Sequence, residues 1–215
     1  MDKKTQTTIS KNMLINAIIL GIFAIIGTAI VAFIYDSTKQ RVIDNKRAHT
    51  LKQLHQLILP EMHDNDLDTD IIVVKHKLLG SDKSLKAYRA RKKNKPVAAI
   101  IECIAPDGYS GKIKLLVAID SNGTLAGVRV TEHLETPGLG DAIEAHKSDW
   151  IHHFKDKSLN KPKRKDWKVK RDGGKFDQIT SATITSRAVV KATYNTLEYF
   201  KKNREQLFTQ PVKEE

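Results

Sequence analysis

Phe176-Asp177-Gln178-Ile179-Thr180-Ser181-Ala182-Thr183-Ile184-Thr185-Ser186-Arg187 is a hydroxyl-dense stretch that runs straight into an amphipathic segment, Ala188 to Lys202. The apolar residues of that segment, Val189, Ala192, Leu197 and Phe200, recur at close to helical spacing, so the hydroxyls fall at the start of a helix. Unpaired N–H groups and the positive end of the helix dipole collect there, which suits the position to a phosphate. The plainer alternative is an ordinary N-cap, in which Thr185 or Ser186 caps the helix and the other hydroxyls are solvated. The residues alone leave both open.

Upstream of this stretch the chain reads as strands. An acidic loop, Glu61 to Asp70, leads to β-prone runs at Ile71 to Val74, Ala87 to Arg91 and Pro96 to Ile104. Ile113 to Ile119 and Leu125 to Val130 are separated by Asp120-Ser121-Asn122-Gly123-Thr124, and Asn-Gly is a preferred centre of a tight hairpin turn. Asp141 to Phe154 reads as a short helix. Lys155 to Gly174 reads as a polar, basic segment with one short strand around Trp167, and Arg204 to Glu215 as a loose tail. Strands followed by a helix give an α+β domain.

The N-terminus reads differently. Met13 to Tyr35 is apolar apart from Asn16 and Thr28 and carries no charge. As a helix it would span roughly 34 Å at 1.5 Å per residue, the thickness of a bilayer core. The run is longer than the apolar core of a cleavable signal peptide, which makes it a retained anchor. Lys3, Lys4 and Lys11 precede it while Lys39, Arg41, Lys46 and Arg47 follow, so the charge rule leaves its orientation open. Thr38 to Leu59 lacks Gly and Pro and carries a helical apolar pattern that Pro60 stops, as expected of a stalk or of a first domain helix.

A chain of 215 residues with 40% hydrophobic content has room for one domain with a real core beside the anchor. The net charge of +12 is concentrated in Arg89 to Lys95 and in Lys161 to Arg171, expected as solvated or membrane-facing surfaces. Neither run has the aromatic interleaving of a nucleic-acid stacking groove, so nucleic acid is not expected as a partner. Cys103 is the only cysteine, which excludes an intrachain disulfide, a thiolate cluster and a redox pair. His133, His146, His152 and His153 give no metal-ligand spacing, because adjacent His152 and His153 point to different faces of any regular element. There is no Gly-x-Ser-x-Gly, no Walker loop and no dinucleotide fingerprint. Two strings remain. Glu135-Thr136-Pro137-Gly138-Leu139-Gly140-Asp141 has Pro then Gly at the centre of a type II pattern, followed by a Gly whose bare backbone would admit a planar ligand; the residues alone fit a plain connecting turn equally well. Gly108-Tyr109-Ser110-Gly111, before the hairpin, is the second string.

Three of these strings, in this order, resemble one family. Asp177-x-x-Thr180-Ser181-Ala182-Thr183 is similar to the Asp-x-x-(Ser/Thr)-Gly-Ala-Thr signature of flavin-transferase targets, in which the last Thr carries FMN through a phosphoester. With Phe-Asp-Gln-Ile-Thr and Ile-Thr-Ser-Arg-Ala-Val around it, the chain resembles the G subunit of the Rnf/Rsx ion-translocating electron-transport complex, a relative of the C subunit of the sodium-pumping NADH:quinone reductase. The resemblance implies a covalent FMN on Thr183, with Thr180, Glu135, Thr136, Leu139 and Tyr109 as flavin contacts. It also implies that Gly108 to Gly111 form a turn and that Asp177, Thr180, Ala182 and Thr183 are read by the flavin transferase. The implied organisation is a cytoplasmic N-terminus (1–12), a transmembrane helix (13–35), a helical stalk (36–60), a periplasmic FMN-binding domain (61–203) and a flexible tail (204–215), anchored in a bacterial inner membrane. The implied partners are the other subunits of the complex, which couple electron flow between NADH and ferredoxin-type carriers to ion translocation. One departure stands out: Ser181 occupies the family's Gly position, and φ > 0 there would strain a serine. A membrane-anchored binding or sensor module of the same fold without flavin is the alternative.

Overall fold

The computed structural model describes residues 3–211, which form two units divided between residues 49 and 50. Helix α1 (Lys3–Leu57) is unbroken for 55 residues, and no boundary marks Tyr35. The reason is compositional: no glycine or proline lies between Gly27 and Pro60, and Pro60 disfavours helix just before it. Within the first unit the apolar side chains are outward and bare, Leu20 and Phe33 being 73% exposed. This stretch is long and apolar enough to cross a membrane. Thr28 does not interrupt it, since its hydroxyl donates to the Ala24 carbonyl one turn back at 2.7 Å.

The second unit is built on five antiparallel strands in sequential order: β1 (Ile71–Val74), β2 (Leu85–Lys92), β3 (Lys95–Ala105), β4 (Ile113–Asp120) and β5 (Leu125–Glu132). Alternate residues of the central strands feed two cores. Ala98, Ile100, Leu116 and Ala118 face Leu54, Leu57 and Ile58 at the end of α1. Ala99, Ile101, Leu115 and Val117 face Val189, Leu197 and Phe200 of the long C-terminal helix, α2 (Thr183–Thr209). Both faces are therefore covered, which is why β3 and β4 read as continuous apolar runs. The α+β class expected from the sequence is what the chain adopts.

Several local expectations change. The hairpin joining β4 and β5 forms, but Asn-Gly is not its two-residue centre. Gly123, at φ 89°, donates its N–H to the Asp120 carbonyl at 2.8 Å and so ends a wider turn. The two-residue turn with both centres at φ > 0 belongs instead to β2 and β3, where Lys93 (49°) and Asn94 (62°) lie between the paired Lys92 and Lys95. The expected helix over Asp141 to Phe154 is two short 3-10 turns, Gly140–Ile143 and Trp150–Phe154. No strand forms around Trp167. Its indole N–H donates to the Ser158 and Pro162 carbonyls, both at 3.1 Å, and pins an irregular loop against Phe176.

The basic run Arg89 to Lys95 is solvated only in its second half, where Lys92, Lys93 and Lys95 are exposed; its two arginines turn inward. Arg89 is buried and, with Arg91, grips Asp70; the two guanidinium groups also donate to the carbonyls of Leu207, Phe208 and Gln210 at the end of α2. This cap draws the helix on to Thr209, where a flexible tail was expected from Arg204. The rest of that expected tail, residues 212–215, lies outside the described residues.

Candidate functional site

The start of α2 is made by a turn of four residues. The N–H of Ala182 donates to the Ile179 carbonyl at 3.0 Å, which puts Ser181 at the third position with φ 65°, the left-handed conformation that a type II turn reserves for glycine. From inside the helix, the Ser186 hydroxyl accepts the Ile179 N–H and donates to the Ala182 carbonyl, both at 3.0 Å. Thr185 is equally committed, its buried hydroxyl donating to Glu135 Oε2 at 2.6 Å. Neither residue caps the helix, contrary to the plainer expectation. The N-cap residue is Ala182, and no side chain caps the helix start. Thr183 is the first helical residue.

Facing this start are the two turns singled out in the sequence. The Leu139 N–H closes on the Thr136 carbonyl at 3.1 Å around Pro137 and Gly138, with φ 77° at Gly138, as a type II turn requires. Glu135 ties the turns together. Its carboxylate is 4% exposed, accepts the Ser110 N–H at 3.1 Å as well as the Thr185 hydroxyl, and fills the space that a side chain at Gly140 or Gly108 would need. A Cβ on Gly140 would lie 2.7 Å from Glu135 Oε2, so this glycine keeps its backbone bare for the glutamate.

Behind the turn, Lys147 bridges Asp141 (2.8 Å) and Glu144 (2.7 Å), and Glu144 also meets His133 Nε2 at 3.0 Å. The Lys147 hydrogen bond holds the Asp141 carboxyl below its usual range. At Glu144 burial works against ionisation, but the bonds from Lys147 and His133 outweigh it and the net shift is downward.

Together these elements enclose a cleft of about 490 Å³, within the size range of small-molecule sites. Tyr109, Glu135, Thr136, Leu139 and Thr183 all line it, while Thr180 and Asp177 lie outside. Thr180 is exposed on the turn, and Asp177 pairs with Lys170 at 2.6 Å on the surface. The rim is apolar, with Tyr109 69% exposed and Leu139 and Ile184 each 46%. Three lining residues carry no role in the sequence reading, Arg171, Ile184 and Arg187. The available signal was position: Arg187 follows Thr183 by four residues, one turn along the same helix face.

Comparison with known proteins places these observations in a family context. The RnfG N-terminal region matches residues 1–57, and the FMN-binding domain matches residues 108–198. The G subunit of the ion-translocating oxidoreductase complex of Shewanella loihica is 46% identical over 198 residues, 92% of this chain and 93% of that protein. The G subunit of the ion-translocating oxidoreductase complex of Pseudomonas aeruginosa is 46% identical over 208 residues, 96% of this chain and 95% of that one. Among solved structures, the C subunit of the Na(+)-translocating NADH-quinone reductase from Parabacteroides distasonis aligns with a TM-score of 0.49 and 19% identity, over 80% of this chain and 98% of that one.

Proposed function

The chain belongs to the G-subunit family of ion-translocating oxidoreductase complexes, and we propose from that premise that its second unit relays electrons through an FMN bound covalently, by phosphoester, to Thr183. The observation that carries the proposal is the position of Thr183, last residue of the Asp-x-x-Thr-Ser-Ala-Thr string, first residue of α2 and a lining residue of the cleft. A helix start without a side-chain cap fits a phosphate, because N–H groups and the positive dipole end converge there. A cleft with two glycine-bearing turns and an apolar rim fits a flat ring.

When bound, FMN supplies the chemistry of accepting and donating electrons. The protein's residues supply position. Thr183 would tether the group, Thr136 and Leu139 would hold the ring, and Tyr109 would border it at the rim. Glu135 acts one step back, since its carboxylate is taken up by Ser110 and Thr185, and it braces the wall on which Thr136 and Leu139 stand. Thr180 and Asp177 belong to the string that a flavin transferase reads, a role suited to exposed side chains outside the cleft. In the membrane, residues 13–35 span the bilayer, residues 1–12 are cytoplasmic, and the second unit lies in the periplasm. A covalent tether is useful there, since a dissociated cofactor would be lost by dilution. The partners are the remaining subunits of the complex, exchanging electrons between NADH and ferredoxin-type carriers.

In-gel flavin fluorescence of variants made with a flavin transferase tests this. Thr183→Ala is expected to be dark, and Asp177→Ala to label weakly even though Asp177 is outside the cleft. Fluorescence retained by Thr183→Ala contradicts the attachment site.

A further inference from the structure

Two arginines, Arg171 and Arg187, line the cleft, and the flavin site as described gives them no role. Arg187 lies on the helix face of Thr183, and helical side chains lean toward the N-terminus. Its Nε and Nη2 donate to the two carboxylate oxygens of Asp172, each at 2.6 Å. Asp172 ends the short turn Lys170–Asp172, which Gly173 closes with φ 80° and an N–H bond to the Lys170 carbonyl at 2.9 Å. The turn is further held by the Lys170 N–H on the Phe176 carbonyl at 2.7 Å. Arg171 therefore sits on a segment fastened at one side to α2 and at the other to residue 176.

The charges are unequal in their commitments. Arg187 is matched by Asp172 at 2.6 Å, whereas Arg171 makes no ion pair of its own among the described residues and acts on Asp172 only through space, as the least of its partners. A phosphoryl group joined to a threonine oxygen and to a ribityl chain is a diester with a single negative charge. One uncommitted guanidinium equals it, and the planar fork of arginine is suited to two phosphate oxygens.

Resting on the proposed flavin site, we infer that Arg171 is the counter-charge of the phosphoryl group carried at Thr183, and that the Asp172–Arg187 pair is the clamp that holds Arg171 against the start of α2. Arg171 would contact the cofactor; Asp172 and Arg187 are positioning residues.

FMN and riboflavin differ only in the phosphate, so their comparison isolates this subsite from the ring site. The full chain carrying Thr183→Ala, purified in detergent, would be titrated with each flavin by fluorescence quenching. Free FMN is expected to bind more tightly than riboflavin, with the preference shrinking as salt rises. Adding Arg171→Gln should weaken FMN by about tenfold and leave riboflavin unchanged, and Arg171→Lys should recover part of the loss. Arg187→Gln should follow Arg171→Gln for FMN alone, a selectivity that a general loss of folding would not produce. The inference is overturned if Arg171→Gln affects both flavins equally or neither, or if the Thr183→Ala chain shows no preference for FMN, including no binding of either flavin. Failure of the flavin site itself is read separately, from the intact mass of the wild-type chain made with the transferase: flavin on the chain with no FMN preference removes only the Arg171 subsite.

Discussion

Ser181 holds φ 65° where the bond between Ala182 N–H and the Ile179 carbonyl forces a left-handed residue. Glycine adopts that conformation without steric cost, so Ser181→Gly should stabilise the chain by about 1 kcal/mol and leave covalent flavin undiminished. Urea unfolding midpoints measure the first and fluorescence labelling the second; a loss of flavin would show that the serine hydroxyl is needed. Thr185 works in the opposite sense. Its hydroxyl is one of the donors that keep Glu135 satisfied, so Thr185→Val should cost about 2 kcal/mol, more than a lost exposed cap. The Asp141 carboxyl, held down chiefly by the Lys147 hydrogen bond, sets an acid limit. Its folded pKa lies below the ordinary 3.8, so its stabilisation is complete above that value and is lost as pH falls through the depressed one. Melting temperatures of wild type and Asp141→Asn should therefore converge below pH 4 and separate above it. The turn chemistry at Pro137 and Gly138 was legible in the sequence because it is decided within four residues, and the strain at Ser181 because a serine stands where the family has glycine. The use of the Glu135 carboxylate was not, because its donors Ser110 and Thr185 stand 25 and 50 residues away.

At the scale of elements, the strongest claim concerns the end of α2. Arg89 and Asp70 form a pair with side chains 3% and 14% exposed, and Arg89 and Arg91 together donate to three carbonyls at the helix terminus. Arg89→Met leaves Asp70 to Arg91 alone and deprives the Leu207 and Gln210 carbonyls of their donor, so it should cost about 2 kcal/mol in chemical denaturation. Lys114→Met, which breaks the exposed pair with Glu132, should cost less than about 0.5 kcal/mol. Equal effects would show that the arginine cap contributes little. Strands β3 and β4 were legible as runs because both faces are buried. The turn at Lys93 and Asn94 was hidden inside a basic run, and the helical residues after Arg204 looked like tail because their capping groups come from β2, more than a hundred residues upstream.

For the whole molecule, the family and the α+β architecture were legible because three short strings and the apolar anchor each carry their own signature in the sequence. Sidedness was not, since basic residues flank both ends of the 13–35 span. If the second unit is periplasmic, protease added to spheroplasts should digest it while the inner membrane stays sealed; full protection would reverse the orientation. The central claim, a flavin bonded to Thr183, is tested most directly by intact mass. Full-length chain made with the flavin transferase should be heavier by one FMN less one water than chain made without it, and Thr183→Ala should show no increase under either condition. An unmodified wild-type chain in the presence of the transferase, or a Thr183→Ala chain that still gains the flavin mass, would contradict the account.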